Sequence, residues 1–256
     1  MCLVVFALNC HPEYRLVLAA NRDEFYERPT SHAHWWNESP RIFSGRDLSR
    51  GGTWLGVSET GRIAAVTNYR QGYRVSPSAR SRGLLVSDFL VGANKPQEYF
   101  EKVKRDSALY DGFNLIAGDA LGLYYYSNRG DGFTKIAAGV HALSNHLLDT
   151  PWPKLIRSQQ AFAAAVDRKG EELVSELFTL LADRSQAEDH ELPDTGISKE
   201  WEKQLSSPFI ALENYGTRSS TVVLIGRDDT VVFEERNFGA AGSSENVVRQ
   251  EFSIVL

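Results

Sequence analysis

The chain has 256 residues, 42% hydrophobic and 24% charged, with a formal net charge of −5. That length buries a core without disulfides or a structural metal, and the acidic balance excludes nucleic acid as the main partner, because phosphate binding calls for a basic surface. No apolar run approaches the ~20 residues of a membrane span. The stretch Cys2–Leu8 is too short for a signal-peptide core and lacks its flanks, so the expected compartment is the cytoplasm. Cys2 and Cys10, the two cysteines, fall in one predicted strand, too far apart for a disulfide, and fit a reducing compartment.

In chain order, Cys2–Leu8 and Arg15–Asn21 are apolar runs of strand length joined through Pro12, an opening hairpin. Arg22–Ser39 is polar, with Pro29, and reads as a long loop, of the kind that often carries function. Thr53–Ser58 and Arg62–Thr67 flank Glu59-Thr60-Gly61, a second hairpin. Asn68–Ala79 reads as irregular and basic (Arg70, Arg74). Leu84–Leu90 and Pro96–Arg105 read as helices, with Pro96 at a favoured first position. Phe113–Gly118 and Leu121–Ser127 form a third hairpin, and Ile136–Leu143 a further strand. Trp152–Asp167 and Glu171–Ala182 are helices, Arg184–Lys203 a polar surface excursion, and Ser219–Ile225, Thr230–Glu235 and Glu251–Leu256 closing strands. Hairpins imply antiparallel pairing, and runs apolar throughout imply strands covered on both faces. The expected fold class is α+β: two stacked antiparallel sheets with helices outside, one domain over residues 1–256.

Chemistry is expected at Cys2. Trimming of the initiator Met1 would leave a thiol and a free α-amine on one residue. An amine with a reference pKa of ~7.7–8.0 can take the thiol proton, directly or through water. Asn21-Arg22-Asp23-Glu24 ends the second strand, and the hairpin returns it towards Cys2. There Arg22 could stabilise a thiolate and Asp23 could hold the ammonium; an ion-paired surface turn is the alternative. Asn68 and Asn145 each follow a strand, where a side-chain amide can donate to a developing oxyanion, and Arg218 precedes the strand at Ser219. Taken singly, each is equally a turn former or a solvated charge.

Together, Met1-Cys2, Asn21-Arg22-Asp23-Glu24, Gly51-Gly52-Thr53-Trp54-Leu55-Gly56, Gly61-Arg62 to Asn68-Tyr69-Arg70, Ser81-Arg82-Gly83 and Tyr215-Gly216-Thr217-Arg218-Ser219-Ser220-Thr221 resemble the NRDE-motif family of transport and Golgi organisation 2 proteins. The likeness runs from residue 2 to at least 225. That family is in turn similar to N-terminal nucleophile (Ntn) hydrolases of the choloylglycine hydrolase and penicillin V acylase type. The resemblance implies a four-layer αββα sandwich, Cys2 as nucleophile and Asp23 as the carboxylate near the amine. It further implies that Asn68 and Asn145 contact the amine or oxyanion and that Arg218 supports the thiolate. The acylase arginine position is Ala20 here, so Arg22 would act from another position.

Cys10 is expected to be a buried or half-buried small hydrophobe, and Trp54 to pack in the core. Phe25, Tyr26, Trp35 and Trp36 would line an apolar pocket or pin their loop. His32 and His34 lack the partners of a metal site, and no nucleotide-binding motif is present. No metal or cofactor is expected. The function expected first is hydrolysis of a linear amide in a small acyl-amide substrate. The alternative implied by the resemblance is a carrier of haem or another apolar ligand, with Cys2 or a histidine as axial ligand. A protein-interaction module has no positive signal, and oligomeric state is not legible.

Overall fold

The computed structural model describes residues 2–72, 76 and 78–255; Met1, Arg74 and Leu256, named above, lie outside the described residues. The chain opens with β1 (Cys2–Leu8), β2 (Tyr14–Phe25), β3 (Thr30–Trp35), β4 (Ile42–Asp47), β5 (Leu55–Ser58) and β6 (Ile63–Asn68). Helices α1 (Gly83–Val91) and α2 (Pro96–Arg105) follow, then β7 (Phe113–Asp119), β8 (Gly122–Ser127), β9 (Phe133–Lys135) and β10 (Gly139–Leu143). Helices α3 (Pro153–Ala165), α4 (Gly170–Leu181) and α5 (Lys199–Gln204) precede β11 (Tyr215–Gly226), β12 (Thr230–Phe238) and β13 (Ser244–Ser253).

The strands form two antiparallel sheets, one ordered β10-β1-β2-β11-β12-β13 and the other β3-β4-β5-β6-β7-β8-β9. Side-chain alternation decides the layers. Val4, Phe6, Leu18, Val223 and Phe233 from the first sheet meet Phe43, Val57 and Ile116 from the second. The opposite face of the first sheet (Leu3, Val5, Val17, Val222) packs on Phe162 of α3 and Leu173 and Leu177 of α4. The outer face of the second (Ala64, Leu115, Tyr124, Tyr126) packs on Phe89 of α1 and Phe100 of α2. This is the αββα sandwich, and the adjacent tyrosines split between faces as alternation requires, with Tyr125 in the inter-sheet layer.

Several expectations are corrected. The stretch 22–39 is no long loop: β2 continues to Phe25, with Arg22 and Asp23 buried rather than solvated, and β3 follows with Ala33 buried and His32 and His34 exposed. Strands β4 and β9 were not expected. The last strand, expected at Glu251, begins at Ser244; β13 is an edge strand with largely exposed side chains, so it lacks an apolar run. Cys10 is exposed, since β1 ends at Leu8 and Asn9 turns the chain with φ +54°. Trp36 is buried under the second sheet and Trp35 packs edge-on against Phe43 and Phe252, so these aromatics pin the structure. The polar excursion 184–203 carries the start of α5.

Between the sheets, Glu235 of β12 accepts a hydrogen bond from the Ala33 N–H of β3 at 2.8 Å and is 1% exposed. Burial pushes its carboxyl up to about 7. Between the ordinary glutamate range and pH 7 the folded state therefore keeps a proton that the unfolded chain releases, so this residue's contribution to stability is lost as pH rises through that window. Glu235→Gln should be more stable than the parent by about 1–3 kcal/mol near pH 8 and no different near pH 4, as read from urea melts at both pH values.

Candidate active site

The strand order brings four ends together. Cys2 pairs with Arg22 across β1 and β2, and β2 pairs on its other side with β11. In β2, Leu16, Leu18 and Ala20 face the inter-sheet core, so Arg22 shares their face and Cys2's. Asn21 and Asp23 take the face of Val17 and Ala19, towards the helices. The motif thus splits in two. Asn21 is structural: its amide donates to the carbonyls of Leu181 and Pro208 at 2.8 and 2.9 Å and accepts the Ser220 hydroxyl at 2.6 Å.

A bulge in β11 between Thr217 and Ser219 sets the next contact. It puts Thr217 directly opposite Asp23, and the Thr217 hydroxyl donates to Asp23 Oδ1 at 2.8 Å. Arg218 is the bulged residue. Its Nη1 donates to the carbonyls of Phe25, Tyr26 and Arg28 at 3.1, 3.0 and 3.2 Å. Expected beside the thiol, it instead clamps the turn after β2 and is not among the residues lining the cleft at Cys2.

That cleft, about 180 Å³, is lined by Cys2, Arg22, Asp23 and Asn68 together with Arg28, Trp54 and Arg82. The second sheet reaches it through two motif glycines. A side chain at Gly52 (φ +73°) would stand 2.4 Å from the Gly83 backbone, and the Thr53 N–H donates to Gly83 O at 3.1 Å. This close approach seats Thr53–Trp54 and the start of α1 on the rim.

Asn145 stands behind Asn68. Its amide donates to the Asn68 carbonyl at 2.9 Å, while its own carbonyl accepts the Arg70 N–H at 2.7 Å. Its neighbour Ser144 donates to the Cys2 carbonyl at 2.9 Å, and the Thr67 hydroxyl donates to Ser144 O at 2.5 Å, so the two sheets are tied at this end. Asn145 therefore reaches the cleft through Asn68 and lines an adjoining hollow with it. Of the six expected residues, Cys2, Arg22, Asp23 and Asn68 share one cleft, Asn145 supports it, and Arg218 lies apart.

Burial pushes the half-buried Cys2 thiol up, while the Asp23 backbone N–H and the Arg22 guanidinium pull it back. Burial likewise raises Asp23, opposed by Lys154 and the Thr217 hydroxyl. Lys154, missed from sequence because it looks like a solvated helix residue, is 2% exposed, donates to Leu205 O at 3.1 Å, and is pulled down to about 8 by burial. Glu202 was missed for the same reason; it is 3% exposed and paired with buried Arg70. Among the described residues no cluster of His, Cys, Asp or Glu could hold a metal, and His32 and His34 are exposed.

No helix of the described residues is long and apolar enough to cross a membrane. The fold is that of Ntn hydrolases. A conjugated bile acid hydrolase from Clostridium perfringens superposes with a TM-score of 0.54 at 8% identity, over 99% of this chain and 92% of that one. The Caenorhabditis elegans ortholog of N-acylethanolamine-hydrolyzing acid amidase gives 0.51 at 12% identity, over 87% and 92%. In sequence, the Bos taurus Transport and Golgi organization protein 2 homolog is 40% identical over 93% of each chain. The family model described as Transport and Golgi organisation 2 matches residues 1–240, and the chain belongs to that family.

Proposed function

We propose that the protein is an N-terminal-cysteine amidohydrolase acting on a linear amide of a small acyl-amide substrate. The observation that carries this is the meeting of Cys2, Arg22, Asp23 and Asn68 in one cleft. After Met1 is removed, the Cys2 amine takes the thiol proton and the thiolate attacks the amide carbonyl, forming a C–S bond. The Asn68 side-chain amide donates to the oxyanion. The C–N bond breaks as the ammonium returns its proton to the leaving nitrogen. Water, deprotonated by the amine, then cleaves the thioester, releasing the acid and restoring the thiol. Asp23, held by Thr217, balances the ammonium, and Arg22 favours the thiolate. Such chemistry requires a reduced Cys2 and suits a reducing compartment such as the cytoplasm.

The fold likeness to amide hydrolases supports this choice. Trp54, Val66 and Ala79 are the apolar side chains among the described residues lining the cleft, whose other walls are polar and charged. A carrier of haem or another apolar ligand would need more apolar contact than that.

The test is mass spectrometry of the protein incubated with a panel of acyl amides. The expected result is an N-terminus beginning at Cys2 and a transient acyl mass on the N-terminal peptide. A fully retained Met1, or no acylation of Cys2 by any amide in the panel, overturns the proposal.

A further inference from the structure

Arg22 is 6% exposed, yet its Nη1 has no hydrogen-bond partner. A buried guanidinium with an idle N–H is costly unless something else fixes it. It lies over Trp54: the guanidinium carbon is 4.3 Å from the indole centroid, inside cation–π range. The indole itself has little freedom. A side chain at Gly45 would stand 2.3 Å from Trp54 Cη2 and 2.6 Å from Cζ2, so the bare backbone of β4 abuts the ring. Just beyond, the Ser44 hydroxyl is 2.5 Å from the Thr53 hydroxyl and donates to Leu55 O at 2.7 Å, pinning the segment that carries Trp54. Arg22 is the cross-strand partner of Cys2 on the same face.

We propose that Trp54 is a positioning residue: its indole, seated against Gly45, holds the Arg22 guanidinium beside Cys2 with Nη1 free for the sulfur anion or the substrate oxygen. This deepens the hydrolase proposal and rests on Cys2 being its nucleophile. A planar cation held over an aromatic face keeps its N–H groups fixed in its own plane, which a flexible lysine would not do. Core packing, expected for Trp54 from sequence, accounts for its contact with the inter-sheet cluster but not for the stack on Arg22.

The test needs no substrate. In a Cys10→Ser background, which removes the exposed thiol, the rate of Cys2 alkylation by iodoacetamide is measured against pH. Trp54→Leu and Arg22→Leu should each move the profile to higher pH and slow alkylation near pH 8 severalfold. The double variant should move it no further than Arg22→Leu alone. Trp54→Phe, which keeps an aromatic face, should restore most of the rate, and Gly45→Ala, which displaces the indole, should shift the profile in the same direction as Trp54→Leu. Should Trp54→Leu fail to fold, Trp54→Phe and Gly45→Ala still decide the matter. A profile unmoved by Trp54→Leu or Gly45→Ala while Arg22→Leu moves it, or additive shifts in the double variant, overturns the proposal. A coupled shift in a protein that acylates with no amide would instead uphold the stack and remove only the hydrolase assignment.

Discussion

Cys2→Ser should reduce hydrolysis of any amide the protein turns over by at least about a thousandfold, with the melting temperature held within a few degrees. The size follows from the chemistry of the proposed nucleophile. A serine hydroxyl at the same place has no appreciable anionic fraction near neutrality, whereas for the thiol Arg22 and the Asp23 backbone N–H oppose the rise that burial imposes. The small structural effect follows from packing. Strand β1 is held by Val4, Phe6 and Leu8 in the inter-sheet layer and by Leu3 and Val5 against the helices. Half-buried Cys2 contributes little to either cluster. Its backbone carbonyl, which accepts from Ser144, is untouched by the substitution. Cys10→Ser supplies the control: an exposed thiol in the turn after β1 should change neither rate nor stability. Steady-state kinetics and thermal melts of the two variants decide it. Activity retained in Cys2→Ser would move the chemistry away from the chain's start.

The parts of the fold legible in the sequence are those where apolar periodicity and turn chemistry agree. The runs Cys2–Leu8, Arg62–Thr67 and Thr221–Ile225 are buried on both faces, and the helices at 84–90 and 96–105 lie within a residue of α1 and α2. Where polar residues are buried, composition misleads. The stretch 21–24 looks solvated, but each of its first three side chains has a separate buried destination: Arg22 on Trp54, and Asn21 and Asp23 on groups from α4, the segment before β11 and β11 itself. The gathering of Cys2, Arg22, Asp23 and Asn68 in one cleft was legible because strand pairing fixes them. Arg218 was not, because a bulge reverses which face a residue takes and leaves no mark in the residue pattern. Thr217, one position earlier in the same motif, occupies the place that direct reading would give its neighbour.

Glu202→Ala should cost about 3–5 kcal/mol and lower the melting temperature by roughly 10 °C or more, with a loss of activity at a site that Glu202 does not line. The residue is on α5, inside a stretch that composition reads as surface. Its carboxylate pairs with Arg70 and accepts the Thr195 N–H at 3.0 Å and the Thr195 hydroxyl, and both charged partners are nearly dry. Removing one of them strands the other, and that uncompensated charge, rather than the worth of the pair, sets the cost. The consequence travels by named bonds. The Arg70 N–H holds the Asn145 carbonyl at 2.7 Å, and the Asn145 amide holds the Asn68 carbonyl at 2.9 Å, so loosening Arg70 loosens Asn68, the proposed oxyanion donor. Glu202→Gln keeps an acceptor for Thr195 and should fall between parent and alanine variant. The exposed helix pair Arg168–Glu172 is the contrast: Glu172→Ala should change stability by no more than about 0.5 kcal/mol. Equal losses in Glu202→Ala and Glu172→Ala would show that α5 is peripheral, and with it the chain of contacts through which it reaches Asn68.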